Sequence, residues 1–251
     1  MTIIQDPRVR PAHRLIEAAQ ALSTAVSRLS FDAPVTHVYN PLDYAWAPHR
    51  VYIERYAASG LRAVFVGMNP GPFGMMQTGV PFGEVAAVRD WLGIEEPVGA
   101  VPHAHPKRPI EGFACRRSEV SGRRLWGWAA RRFGSPQAFF GQAFVLNYCP
   151  LVFLEATGRN FTPDKLPRAQ LAALQSVCDA HLRAAVSALA PSWVIGIGGY
   201  ARARIESALA GSGGGGARIG QILHPSPASP AANRGWEEAV EAQLSELGVF
   251  A

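Results

Sequence analysis

Lysine is almost missing from this chain: of 24 basic residues only Lys107 and Lys165 are lysines, and the other 22 are arginines. Arginine suits bidentate contact with phosphate, although a codon bias yields the same ratio. Cysteine is scarce as well. Cys115, Cys149 and Cys178 lie too far apart for a disulfide framework or for the close ligand spacing of a zinc or iron–sulfur site. A reduced protein with no metal and no cofactor is the expectation. Long apolar runs are absent too. The longest charge-free stretch of the N-terminal half, Val64 to Gly83, carries three prolines and five glycines, which excludes a membrane helix there. The opening MTIIQDPRVRPAHR lacks the apolar core of an export signal. A cytoplasmic monomer without membrane association is expected.

What is present fits one α/β domain: 251 residues, 48% apolar and 17% charged. Residues 1–30 read as a tail and a packing helix, with apolar residues at helical spacing from Pro11 to Leu29, and residues 31–251 as the body of the domain. Net charge is +5, unevenly placed. Between Val101 and Ser135 eight basic residues stand against Glu111 and Glu119, interleaved with Phe113, Trp126, Trp128 and Phe133. Such a run fits a polyanion, and it equally fits a solvated helix face.

Short apolar runs at Arg62–Gly67, Ala143–Leu151, Ser192–Gly199 and Ala217–Leu223 read as buried parallel strands. A long helical pattern, Pro163 to Leu189, separates the second run from the third. This alternation predicts a three-layer α/β/α sandwich around a short, mostly parallel central sheet. Ligands of such sheets bind beyond the C-terminal strand ends. That directs attention to Asn69, to Asn147 with Cys149 and Pro150, to Gly198–Tyr200, and to His224 with Pro225. Gly211–Gly216 (GSGGGG) reads as a flexible connector, because no Gly-Lys-Ser/Thr follows it.

Two signals are weak. GIGGYA at Gly196–Ala201 has the spacing of a dinucleotide-binding turn, yet no Asp or Glu lies between Glu206 and Glu237 to hold a ribose. A nucleotide-dependent oxidoreductase is thereby disfavoured. His103 and His105 could be taken for a metal pair, but no third ligand is near in sequence. Two other segments say more: GMNPGPFGMMQTGVPFGE (Gly67–Glu84) and HPSPASPAANRGW (His224–Trp236). Each follows a strand, is dense in Pro and Gly, and sets one polar side chain at the strand end, which suits a rigid pocket for a flat ring.

These two segments resemble the two motifs of the single-strand-selective monofunctional uracil-DNA glycosylases, a branch of the uracil-DNA glycosylase superfamily. The words HPKRP (His105–Pro109), SEVSG (Ser118–Gly122), NYCPL (Asn147–Leu151) and GRNFTP (Gly158–Pro163) fit too, so the resemblance runs from about Phe31 to near the C-terminus. It implies a base-excision repair enzyme that flips uracil, and 5-hydroxymethyluracil, out of DNA and hydrolyses the N-glycosidic bond. It also implies roles. Asn69 would position the attacking water, and His224 would stabilise the departing anion at O2. Phe82 would stack on the base and Asn147 would read its edge. Met68 and Gly71 would contact it through the backbone, a glycine at 71 leaving room at C5. Pro225, Ser226 and Pro227, with Asn233 and Arg234, would wedge into the DNA. Apart from the resemblance, the basic run itself offers Arg123 and Arg124 for contact with phosphates. One departure is Ala228, where family members often carry a basic residue. Neither lysine lies in the motif segments, so no amine is placed to form a Schiff base and excision should stop at the abasic site.

Elementary chemistry supports the same residues. Breaking an N-glycosidic bond leaves positive charge on the sugar and negative charge on the base, so a fixed donor is needed near the base oxygens and a positioned water near the anomeric carbon. An amide is not a base, so Asn69 would orient water rather than deprotonate it. Asn147 offers an acceptor for N3–H and a donor for O4, which matches uracil and mismatches cytosine. A catalytically idle damage binder is disfavoured by the presence of both Asn69 and His224. Taken singly, each residue has an ordinary structural explanation as a turn Asn, a core Phe or a buried His.

Overall fold

The computed structural model describes residues 9–211 and 216–250. Its strands are β1 (Val35–Tyr39), β2 (Ala63–Gly67), β3 (Ala143–Asn147), β4 (Val152–Glu155), β5 (Asn160–Phe161), β6 (Trp193–Ile197) and β7 (Arg218–Ile222). The helices are α1 (Val9–Val26), α2 (Pro41–Tyr44), α3 (Trp46–Tyr56), α4 (Met75–Thr78), α5 (Val120–Phe133), α6 (Pro136–Phe140), α7 (Arg168–Leu189), α8 (Gly199–Leu209) and α9 (Pro230–Leu247). The expected α/β architecture is present. β2, β3 and β6 are buried at every position, as strands covered by helices on both faces must be. They join β7 in a parallel sheet of order β3-β2-β6-β7. None of the described helices is long and apolar enough to cross a membrane.

Three boundaries differ from the sequence expectation. The run Ala143–Leu151 is a strand only to Asn147. The ladder then continues through Tyr148 N–H to the Gly67 carbonyl (2.8 Å) and Cys149 N–H to the Met68 carbonyl (2.9 Å) before the chain leaves the sheet. Val152–Glu155 enters a second, antiparallel sheet of order β1-β4-β5 that the sequence reading did not contain. The helix sought from Pro163 begins at Arg168, because Pro163 opens an isolated turn and Pro167, with ψ 143, holds the chain extended. Of the GSGGGG connector, residues 212–215 lie outside the described residues.

Helix α1 buries Leu15, Ala19, Leu22 and Val26 against α7 in the same core that contains the sheet. Beyond β3, Tyr148 donates to Asp179 (2.6 Å) and accepts from Arg204 (3.1 Å), while Arg204 also grips both Asp179 oxygens (2.8 and 2.6 Å). This triad ties α7 and α8 to the residue after Asn147, so the end of β3 is held from behind.

Two histidines, His49 buried and His181 half-buried, lie beneath that end. His49 hydrogen-bonds through Nδ1 to the Gly79 carbonyl at 2.8 Å. Burial lowers its pKa to about 4, and His181 is lowered to about 4 by burial and by the neighbouring His49. Both are neutral when folded, whereas an unfolded chain protonates them near 6.5. The unfolded state therefore takes up protons first as pH falls, and stability is lost between about pH 6.5 and 4. The urea midpoint should be clearly lower at pH 5 than at pH 7.5, and His49→Gln should flatten that dependence.

Candidate active site

At the C-terminal edge of the parallel sheet the two Pro/Gly-rich segments meet around a cavity of about 640 Å³. Met68, Asn69, Gly71, Phe82, Asn147 and His224 all line it, as do Ser226 and Pro227. Strand order explains the meeting. β2 and β3 are neighbours with Gly67 opposite Asn147, which sets Asn69 beside the Asn147 strand end, and β7 delivers His224 from the other edge.

The Asn69 amide is anchored by its donor end: Nδ2 donates to the carbonyls of Leu151 (3.2 Å) and Pro70 (3.4 Å). Its oxygen is thereby left as the acceptor. Asn147 is 8% exposed, and its Nδ2 donates to the Met75 sulfur at 3.2 Å. Gly67 is essential to this corner. A Cβ there would stand 2.6 Å from the Phe82 ring and 2.7 Å from Asn147 Oδ1, so only glycine lets ring and amide lie across the strand end. Phe82 itself has φ +53, a costly conformation for an aromatic residue. Its carbonyl holds it there by accepting from Trp126 Nε1 (3.0 Å) and Glu84 N–H (2.8 Å).

The His224 Cβ would lie 3.2 Å from a Cβ added at Gly198. The GIGGYA turn that mimics a dinucleotide loop is thus the seat of this histidine, joined to β7 by Gly198 N–H to the Ile222 carbonyl (2.9 Å). The His224 and Phe82 rings are 6.3 Å apart, inclined at 45°. Burial lowers the His224 pKa, so the ring is neutral at neutral pH and can offer one N–H donor.

Sequence reasoning missed Glu119. It lines the cavity, its Oε2 is buried without a hydrogen-bond partner, and burial together with the nearby Glu84 raises its pKa to about 7. A Cβ on Gly71 would lie 2.3 Å from Glu119 Oε1, and one on Gly74 2.2 Å from Oε2. The glycine at 71 therefore leaves room for the Glu119 carboxyl. The SEVSG word held the clue, but an acid inside a basic run reads as a solvated charge. GRNFTP contributes as well: Asn160 and Thr162 line the cavity, and Asn160 Oδ1 is buried without a partner.

The loop after His224 is braced from within. Arg124 donates to the carbonyls of Pro225 (3.0 Å) and Ser226 (3.3 Å) and to Asn233 Oδ1 (2.8 Å), while Asn233 Nδ2 donates to the Pro227 carbonyl (2.8 Å). Both side chains named as DNA contacts are thus committed to the loop. Pro225 is buried, whereas Arg123 and Arg234 are exposed. Arg131 and Arg132 pair with Glu237 and Glu241 of α9. His103 is exposed, and His105 is buried with Nε2 3.1 Å from the Ala156 carbonyl and Nδ1 accepting from Lys107 N–H (3.1 Å). Those two histidines make no metal pair. Among the described residues no three His, Cys, Asp or Glu gather as a metal site.

The profile of the uracil DNA glycosylase superfamily matches residues 54–246. The chain is 50% identical over 239 residues to the single-strand selective monofunctional uracil DNA glycosylase of Mus musculus, covering 95% of this chain and 85% of the mouse protein. It is 46% identical over 250 residues to the protein of that name from Bos taurus, covering 98% and 92%. Among solved structures, wild-type SMUG2 of Pedobacter heparinus superposes with a TM-score of 0.65 over 92% of this chain and 97% of that one, at 18% identity, a likeness of fold.

Proposed function

Since the chain belongs to the uracil-DNA glycosylase superfamily, and within it to the single-strand-selective monofunctional branch, we propose that it flips uracil out of DNA and hydrolyses the N-glycosidic bond. The observation that carries this reading is the pairing of Asn69, anchored by its donor end, with the neutral, half-buried His224 across one cavity. The C1′–N1 bond breaks heterolytically and its electron pair passes to the uracil ring. His224 donates to O2 as negative charge gathers there. A water held by Asn69 Oδ1 attacks C1′, becomes the hydroxyl of the abasic sugar, and releases a proton. Phe82 stacks on the ring, and Asn147 accepts from N3–H and donates to O4. Met68 and Gly71 frame the base with backbone. Ser226 and Pro227, at the cavity edge, are the part of the loop that enters the DNA.

The substrate range extends to 5-hydroxymethyluracil in this reading. Gly71 and the Glu119 carboxyl line the same cavity, a polar surface that accommodates a hydroxyl at C5. Neither lysine lines the cavity, which supports hydrolysis without strand cleavage. Purified protein and end-labelled oligonucleotides, single-stranded and duplex, each with one uracil or 5-hydroxymethyluracil, test the reading without added metal. Strand breaks should arise only after alkali, and borohydride should trap no adduct. Untouched oligonucleotides would refute the activity, and a trapped adduct would refute the monofunctional step.

The brace makes Arg124 a positioning residue for His224 and the loop. Arg124→Ala removes three hydrogen bonds from residues 225–233, so single-turnover excision should fall about tenfold or more. Arg124→Lys should recover only part of it, since a point charge cannot span three acceptors.

A further inference from the structure

Five of the eight basic residues between positions 101 and 135 divide into two groups by their partners. Arg124 is spent on the loop, and Arg131 and Arg132 on α9. Arg108 and Arg117 have no acidic partner among the described residues; Phe73, on the wall of the cavity, sits beside both. The Arg117 guanidinium lies 4.1 Å from the Phe73 ring centroid and that of Arg108 5.4 Å from it. The nearby acids are Glu111, exposed and unpaired with either, and the half-buried Glu119, whose Oε2 is buried.

The base of this group is rigid. Tyr39 OH accepts from His105 N–H (2.6 Å) and donates to the Arg108 carbonyl (3.1 Å), and Arg108 N–H closes a turn on the His105 carbonyl (2.8 Å). Arg108 Nε is buried without a partner. A guanidinium resting on an aromatic ring loses little further freedom on binding; Arg117 keeps its N–H edge for bidentate contact, whereas Arg108 donates Nη1 to the Lys107 carbonyl (3.0 Å) and adds its charge and Nη2. Arg117 is one residue from Ser118, which lines the cavity, so this positive edge lies at the mouth of the cavity.

We propose that Arg108 and Arg117, organised by Phe73, form a clamp for a backbone phosphate of the DNA strand beside the extruded nucleotide. This rests on the reading of the cavity as a base pocket. It gives the HPKRP word a task and places the phosphate contact on the opposite side of the run from Arg123 and Arg124.

Binding of an undamaged, fluorescently labelled single-stranded oligonucleotide, titrated between about 50 and 300 mM salt, tests it. Each lost phosphate contact lowers the slope of log affinity against log salt by about 0.7 for single strands, so Arg108→Gln with Arg117→Gln should lower it by about 0.7 to 1.4. Arg131→Gln with Arg132→Gln changes net charge equally and should leave the slope as in the parent. Phe73→Leu keeps both charges yet should weaken binding about threefold or more. Arg117→Gln alone, at an exposed position, covers the case in which the double variant fails to fold and should lower the slope by about 0.7. An unchanged slope in the Arg108/Arg117 variants, an equal loss in the Arg131/Arg132 pair, or parental affinity in Phe73→Leu would each overturn the clamp. A parent that binds oligonucleotide with the clamp's signature but never releases uracil would count against the proposed activity and for the clamp.

Discussion

His224→Ala should lower single-turnover excision of uracil by about 100- to 1000-fold while changing DNA affinity little. The reason is when the interaction is made. In the bound substrate O2 is an ordinary carbonyl oxygen, for which one hydrogen bond counts modestly against water. As the glycosidic bond lengthens, O2 takes on charge inside a cavity walled by Phe82 and Asn147, and a fixed donor there is worth far more. Because burial keeps the ring neutral, the donor is present at every pH above its usual 6.5. The deficit of the variant should therefore be the same at pH 7 and pH 8.5. A loss of only a few-fold, or one that shrinks steadily with rising pH, would remove His224 from that role.

Asn147→Asp should cost about 100-fold in uracil excision and open slow excision of cytosine. A carboxylate cannot donate to O4, and its two lone-pair oxygens face an acceptor where the amide N–H stood. Cytosine offers N4–H₂ as donor and N3 as acceptor, the reverse of uracil, so the protonated acid is its complement. At 8% exposure the introduced carboxyl will hold its proton above the usual range, since burial disfavours the charged form. Cytosine release should then rise as pH falls, down to the region where proton uptake by unfolded His49 and His181 weakens the fold. Single-turnover assays on oligonucleotides carrying one cytosine or one uracil, across pH 5.5 to 8 or thereabouts, read both effects. Parental uracil activity with no cytosine release would mean that Asn147 does not read the base.

The strand ends that meet at the cavity were legible in the sequence. Apolar runs buried on both faces announce β2, β3 and β6, and polar residues just beyond them, Asn69, Asn147 and His224, converge because parallel strands share one C-terminal edge. The antiparallel sheet escaped notice because β5 has only two residues and β4 follows β3 after a four-residue break, so neither makes a separate periodic signal. Glu119 escaped for another reason: its importance comes from burial, which no spacing of charges reveals. The duties of the arginines were equally hidden. Arg124, Arg131 and Arg117 look alike in sequence, and only their partners, a loop carbonyl, a glutamate and a phenylalanine ring, separate brace from ion pair from free cation.

The close fit of Glu119 against Gly71 and Gly74 binds three positions into one heritable unit. While the carboxyl is in place, a methyl group at 71 or 74 meets it, so either change requires the Glu119 side chain to shift. Shorten the acid, and both positions are released together to carry side chains that would narrow the cavity from the same wall. Changes at 71 or 74 are thus coupled to the side chain at 119, whose carboxyl oxygens stand 2.3 and 2.2 Å from where the new carbons would lie.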